Sequence, residues 1–218
     1  MRRVLIGTPS YDGKVDVHFA NSLLNTIKMS FEKGIHVHVI YTAYDSLVQR
    51  ARNSLFQMAM VGGYDDLFFI DSDVEWEAEW FFRLLERPEP MVGAGLIKKS
   101  NDESYTIKLL DKNLKWSEDG AMIEVDGIGT GFMRITRFAL EKLWEMSTTY
   151  DSEGQEHRMV CDIQVENGDL ISEDFIICKK WQSLGFKTWI DPNITITHIG
   201  TKIYRGNFRE FIKKIGYI

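Results

Sequence analysis

Apolar and polar residues alternate along the first half of this chain in two periods. Val4 to Thr8 is a short apolar run that predicts a strand. Phe19, Leu23, Leu24, Ile27 and Phe31 then recur at helical spacing up to Gly34, a plausible helix stop. His36 to Thr42 is β-branched and apolar and predicts a second strand. After it, Leu47, Ala51, Leu55 and Met58 share one face of a helix that Gly62-Gly63 ends. Leu67 to Ile70 predicts a third, buried strand, and Trp80, Phe81, Leu84 and Leu85 a helix ending before Pro88. Strands alternating with helices of this length predict an α/β fold, a Rossmann-like sheet flanked by helices.

The second half changes character. Met91 to Ile97 predicts a strand, residues 98–119 are polar and mixed, and Ala121 to Val125 returns to a strand before the glycine-rich run 127–131. Phe138 to Trp144 predicts a helix. Residues 148–168 lack clear periodicity and are expected to form a long surface loop able to move over a site. A helix resumes from Ser172, and 188–197 reads as two short strand pieces flanking Pro192. With no repeat or low-complexity block, one domain over 1–218 is expected. Residues 1–100 would be its nucleotide-facing half, 101–200 its acceptor-facing half and 201–218 a tail.

Composition narrows the picture only slightly. The 218 residues are 44% hydrophobic, enough for a substantial core. No stretch approaches the roughly 20 apolar residues of a membrane span, and the apolar run after Arg2-Arg3 is too short for a signal peptide. Cys161 and Cys178 are the two cysteines and imply neither a disulfide framework nor a zinc spacing, so a reduced, cytoplasmic chain is expected. The net charge of -6 weighs against general adhesion to nucleic acid but leaves room for a local basic groove.

The candidate chemistry starts at Asp71-Ser72-Asp73, directly after the apolar run 67–70. Alternation along an extended segment lets both carboxylates point into one cleft, and hard oxygen ligands suit Mg²⁺ or Mn²⁺. The same triplet is also what a solvated turn looks like. Ser172-Glu173-Asp174 reads equally as an ordinary helix start, with Ser172 as N-cap. His198, at a strand end beside Gly200, suits a ligand or a structural residue, and Arg50 and Arg52 suit a phosphate site or a solvated helix face. The run Gly127 to Gly131 lacks the third glycine and closing acid of a dinucleotide fingerprint, so a Rossmann cofactor is discounted. Its glycines would let a bulky ligand approach the backbone, or simply form a flexible connection.

As an ordered set, these elements resemble the nucleotide-sugar-dependent glycosyltransferases of the A-type (GT-A) fold. The landmarks are Gly7-Thr8-Pro9-Ser10-Tyr11, the Arg50-Ala51-Arg52-Asn53 helix, Asp71-Ser72-Asp73, Gly129-Thr130-Gly131-Phe132, Ser172-Glu173-Asp174 and His198. Size and the Thr-Pro-Ser-Tyr start look most like small viral and phage glycosyltransferases, including a chlorella-virus enzyme domain; a viral chain would work in the host cytoplasm. The resemblance implies a Mn²⁺ or Mg²⁺ held by Asp73 and His198, with Asp71 on the metal through water or on the ribose. It implies a UDP- or GDP-sugar donor, bound by Thr8, Pro9, Ser10, Tyr11, Arg50, Arg52, Ser72, Gly129 and Gly131, and a glycan or other hydroxyl acceptor, a nucleic acid among the candidates. Asp174 would be the general base of an inverting enzyme, with Glu173 beside it. Lys202 is similar to a feature of some retaining enzymes, so both stereochemical courses stay open. A sugar nucleotidyltransferase, which would need a basic phosphate loop that 7–13 lacks, and a non-catalytic nucleotide-sugar-binding module are the alternatives.

Overall fold

A computed structural model describes residues 1–152 and 154–217; Glu153, in the predicted loop, and Ile218, at the end of the predicted tail, lie outside it. In chain order the elements are β1 (Arg3–Ser10), α1 (Val17–Glu32), β2 (His36–Ala43), α2 (Val48–Val61), β3 (Asp66–Ile70), β4 (Val74–Glu75), α3 (Ala78–Leu85) and β5 (Met91–Leu96). Then come β6 (Ile107–Leu109), β7 (Ile123–Ile128), β8 (Phe132–Thr136), α4 (Arg137–Met146), β9 (Thr149–Ser152), β10 (Gln155–Arg158), β11 (Gln164–Glu166) and β12 (Asp169–Ile171). The chain closes with α5 (Glu173–Ser183), β13 (Thr188–Ile199), β14 (Ile203–Tyr204) and α6 (Phe208–Lys214).

The main sheet runs β2-β1-β3-β8-β5-β13-β7-β6, with β4 and β14 paired to β13. β1 pairs in parallel with both β2 and β3, and β5 with β13, whereas β8 is antiparallel to β3 and β5. Elements from both halves of the chain thus interleave in one mixed sheet. Its faces carry two apolar layers, one around α2, α4 and α5 and the other around α1 and α3. β3 is buried at every position because it is covered on both faces, which is why its sequence is a continuous apolar run rather than an alternation.

The periodicity of α1 is as expected, but its phase is not. Leu24 and Phe31 are exposed, and the buried face is Phe19, Ser22, Thr26 and Ser30. Trp76 decides this. Its backbone N–H donates to Ser22 Oγ (3.0 Å), its indole N–H donates to Thr26 Oγ1 (2.9 Å), and its ring packs edge-on against Phe19. A buried indole needs an acceptor, so small hydroxyl residues take the inward face that apolar side chains would otherwise fill.

Two further expectations are corrected. The segment predicted as a mobile loop over 148–168 contains the hairpin β9–β10 and the first strand of β11–β12. It is pinned by Asn53, whose amide accepts from Cys161 N (2.7 Å) and donates to Cys161 O (2.9 Å), while Val160 and Cys161 are fully buried. Short polar hairpins carry too little apolar alternation to be seen as strands. The two strand pieces predicted around Pro192 are one strand, β13, with a register shift against β5 between Asp191 and Thr195. A bulge absorbs the proline, whose missing N–H would break a regular ladder.

Cys161 and Cys178 are free and completely buried, and burial pushes both thiols up to about 12. Unfolded thiols ionise near about 8.5, so the unfolded state loses protons first as pH rises. Stability therefore declines between those two values. Native protein at neutral pH is expected to resist iodoacetamide at both positions, with two alkylations appearing only in denaturant, as read by intact-mass spectrometry.

Candidate functional site

β1, β2 and β3 are parallel, so their carboxyl ends meet at one edge of the sheet, with β1 flanked by strands that lead away on either side. Such an edge is where open α/β sheets bind ligands. A cleft of about 240 Å³ lies there, lined among others by Pro9, Ser10 and Tyr11 from the end of β1, Asp45 after β2, Arg52, the triplet Asp71-Ser72-Asp73 after β3, and His198 from β13.

The triplet is fixed by its backbone. Asp71 N–H donates to Gly131 O (3.1 Å), Ser72 O accepts from Asp16 N–H (2.9 Å), and Asp73 O accepts from Ile199 N–H (2.8 Å). Three separate elements therefore hold this turn, and its two carboxylates part. A Cβ on Gly131 would stand 2.8 Å from Asp71 Oδ2 and 2.4 Å from Leu96, so a larger residue would push the Asp71 carboxylate or Leu96 out of place.

Asp71 turns toward Arg52. The Arg52 side chain is nearly buried and donates from Nη2 to Asp71 Oδ1 at 2.8 Å and from Nη1 to Glu173 Oε1. Burial opposes the guanidinium charge, but Asp71 and Glu173 outweigh it and raise Arg52 above its ordinary value. Burial likewise pushes the Glu173 carboxyl up, against the pull of Arg52. The two acidic motifs, about a hundred residues apart in the chain, are joined by one side chain.

Asp174 is partly buried beside this bridge. Its Oδ1 accepts from the Ser172 hydroxyl and from Phe175 N–H (2.9 Å). Ser172 occupies the N-cap position of α5, as expected, but its hydroxyl makes no cap bond and serves Asp174 instead. Glu173 is committed to Arg52, and Asp174 keeps its second oxygen.

Asp73 points the other way, toward Lys99 and His198. Lys99 Nζ pairs with Asp73 Oδ2, and His198 Nε2 lies 3.4 Å from Asp73 Oδ1. Burial raises the Asp73 carboxyl, but His198 and Lys99 prevail and hold it below the ordinary range. His198 Nδ1 is 2.9 Å from Ile97 O, a carbonyl that can only accept, so Nδ1 carries the proton. Nε2 is then the nitrogen turned toward Asp73 and the cleft. That is the orientation a metal-ligating histidine takes from a backbone carbonyl behind it.

Among the described residues, no three His, Cys, Asp or Glu side chains converge as a ready-made metal cage. Mg²⁺-type sites commonly use one or two carboxylates and leave the remaining positions to water and substrate phosphates. Asp73 and His198 fit that kind of site, with Lys99 providing positive charge where a cation is called for.

Other expected donor residues stand outside the cleft. Thr8 is fully buried in β1. Arg50 makes a two-pronged contact with Asp45 (both 2.8 Å) and lines a neighbouring cavity of about 800 Å³. Gly129 packs against Thr106, and Lys202 donates to Asn101 Oδ1 (3.1 Å). Lys99 and Asp45 were missed in the sequence, since a lysine in a polar stretch and an aspartate in a turn carry no distinguishing signal.

No family model matches the chain, and no curated protein matches it in sequence. Among solved structures, A197 from STIV aligns over 92% of this chain and 86% of its own at 19% identity, with a TM-score of 0.54. A mutant of the Drosophila beta-1,4-galactosyltransferase 7, in complex with manganese, UDP-Gal and xylobiose, aligns over 98% of this chain and 80% of its own at 15% identity, with a TM-score of 0.53. The chain has the GT-A fold. A glycosyltransferase involved in the glycosylation of the major capsid of PBCV-1 aligns over 63% of this chain and 61% of its own at 12% identity, and its TM-score of 0.35 is too low to bear on the fold.

Removing one partner of a buried ion pair typically costs about 3–5 kcal/mol, because the other charge is left uncompensated. Arg52→Ala is expected to lose stability on that scale in urea titrations. Arg52→Lys, which keeps the charge but not the fork between two carboxylates, should lose less.

Proposed function

We propose that this chain is a metal-dependent glycosyltransferase that moves a sugar from a nucleoside-diphosphate sugar, UDP- or GDP-linked, to an acceptor hydroxyl. The observation that carries the reading is the divided triplet, with Asp73 facing His198 while Asp71 is tied through Arg52 to Glu173, next to Asp174. The A-type fold supports it, and so does the position of the cleft at the carboxyl ends of parallel strands. Both halves of the chain would act as one domain, since they share one sheet. Among the described residues no helix is long and apolar enough to cross a membrane.

Asp73 and His198 would hold Mn²⁺ or Mg²⁺, with Asp71 reaching it through water or binding the ribose; bound there, the ion neutralises the diphosphate as it leaves. Tyr11, largely exposed at the rim, would cap the base above Pro9 and Ser10. Lys99 would turn from Asp73 to the phosphates. Asp174 would take the proton of the attacking hydroxyl as the new bond forms at the anomeric carbon and the bond to phosphate breaks, giving inversion. Glu173, held by Arg52, would position α5 rather than move a proton. The acceptor, a glycan or another hydroxyl compound, would approach from the side of α5.

The test is incubation with a panel of nucleotide sugars, with and without Mn²⁺, reading nucleoside diphosphate release. Metal-dependent release is expected, with Asp73→Ala abolishing the metal response. Asp174→Asn should lower kcat by about 10²- to 10⁴-fold, the usual worth of a general base. Pyrophosphate as the product would indicate nucleotidyl transfer, and binding without turnover a non-catalytic module; either result overturns the proposal.

A further inference from the structure

β2 is the edge strand of the main sheet, and its first residues carry an imidazole pair unrelated to the cleft. His36 and His38 are two apart in an extended strand, so both rings project from the same face. His36 Nε2 lies 3.2 Å from His38 Nε2, with the ring planes at 79°. Two metal–nitrogen bonds of about 2.0–2.1 Å, meeting at an angle near about 100–109°, place their nitrogens about 3.1–3.4 Å apart. The observed separation falls inside that span.

The ring nearer the core is held from behind. His38 Nδ1 is 2.5 Å from the Tyr64 hydroxyl, and the Tyr64 ring packs edge-on against His38. In the tautomer whose Nδ1–H donates to the phenolic oxygen, the lone pair of His38 is directed from Nε2 toward His36. An outer partner of this kind fixes tautomer and ring orientation in metal-ligating histidines. Arg3 donates from Nη1 to Gly62 O (2.8 Å) with its guanidinium over the Tyr64 ring, on the inner side of the pair. His36 is exposed, leaving the outer side of the pair open to an ion and its waters.

We propose that His36 and His38 form a second metal site, selective for divalent transition ions of the Zn²⁺, Ni²⁺ and Cu²⁺ class. Imidazole nitrogen suits these ions, whereas the cleft sets a carboxylate and substrate oxygens beside its one imidazole and so suits harder ones. β2 runs in register with β1, so His36 lies beside Arg3 while the cleft adjoins Ser10 and Ala43. At about 3.3 Å per residue, His38 and His36 lie about 17 and 23 Å from the cleft end of the strand. The site is therefore independent of the proposed transfer reaction and stands whether or not that reading holds.

The test uses the full chain carrying Asp73→Ala, which removes the cleft clamp. Zn²⁺ titration by calorimetry should give one site, weakened about tenfold or more by His36→Ala and equally by His38→Ala, a difference of about 1.4 kcal/mol per decade. Mn²⁺ should give no heat at this site. Cu²⁺ added at one equivalent should show an electron paramagnetic resonance spectrum with hyperfine structure from two imidazole nitrogens. Binding unchanged in both single variants, no Zn²⁺ site below millimolar, or a spectrum from one nitrogen or none would each overturn the proposal and leave a hydrogen-bonded histidine pair. His36 is exposed, so His36→Ala keeps the test open even if His38→Ala, which frees Tyr64, folds poorly on circular dichroism.

Discussion

Arg52 sits between Asp71 and Glu173, and the geometry of the cleft depends on that contact. A guanidinium buried on the inner face of α2 is tolerable only if its charge is met, and here the two ends of the fork go to different carboxylates. Two acids from distant parts of the chain meet it. One consequence is that Asp71 turns away from Asp73, so the two acids of one triplet acquire different surroundings. Another is that the start of α5 is anchored to Arg52 by Glu173, with Asp174 bound to Ser172 and its own helix start.

The remaining supports are backbone bonds. Asp16 N, Ile199 N and Gly131 O each take one partner in the triplet, tying the start of α1, the end of β13 and the approach to β8 to the same turn. Asn53, next to Arg52 on α2, clamps Cys161 in the same way and brings the hairpin segment over the helix. Adjacent residues 52 and 53 of α2 therefore tie two distant segments of the chain to this helix. The apolar layers beneath make this possible by holding β3 rigid at every position.

The fold class was legible because a buried parallel sheet requires continuous apolar strands and one-sided helices, and these leave periods in the sequence. The triplet after β3, His198 and Ser172-Glu173-Asp174 could also be picked out as acids and an imidazole at predicted element ends. The tie of Asp71 to Glu173 through Arg52 could not. Nothing near Arg52 in sequence distinguishes it from Arg50, yet one is buried between two acids and the other turns outward to Asp45. Lys99 and the hairpins of 149–171 were hidden for a related reason, as short polar segments obtain their structure from contacts rather than from their own pattern.

The sequence by itself determined the alternation of strands and helices and the placement of acids at a strand end and a helix start. These follow from local rules of periodicity, turn chemistry and steric room. Only the tertiary structure decided which face of α1 is buried, which arginine is internal, and which acids that arginine joins. Those outcomes depend on charge compensation and hydrogen-bond partners supplied from a hundred residues away, and no local pattern encodes them.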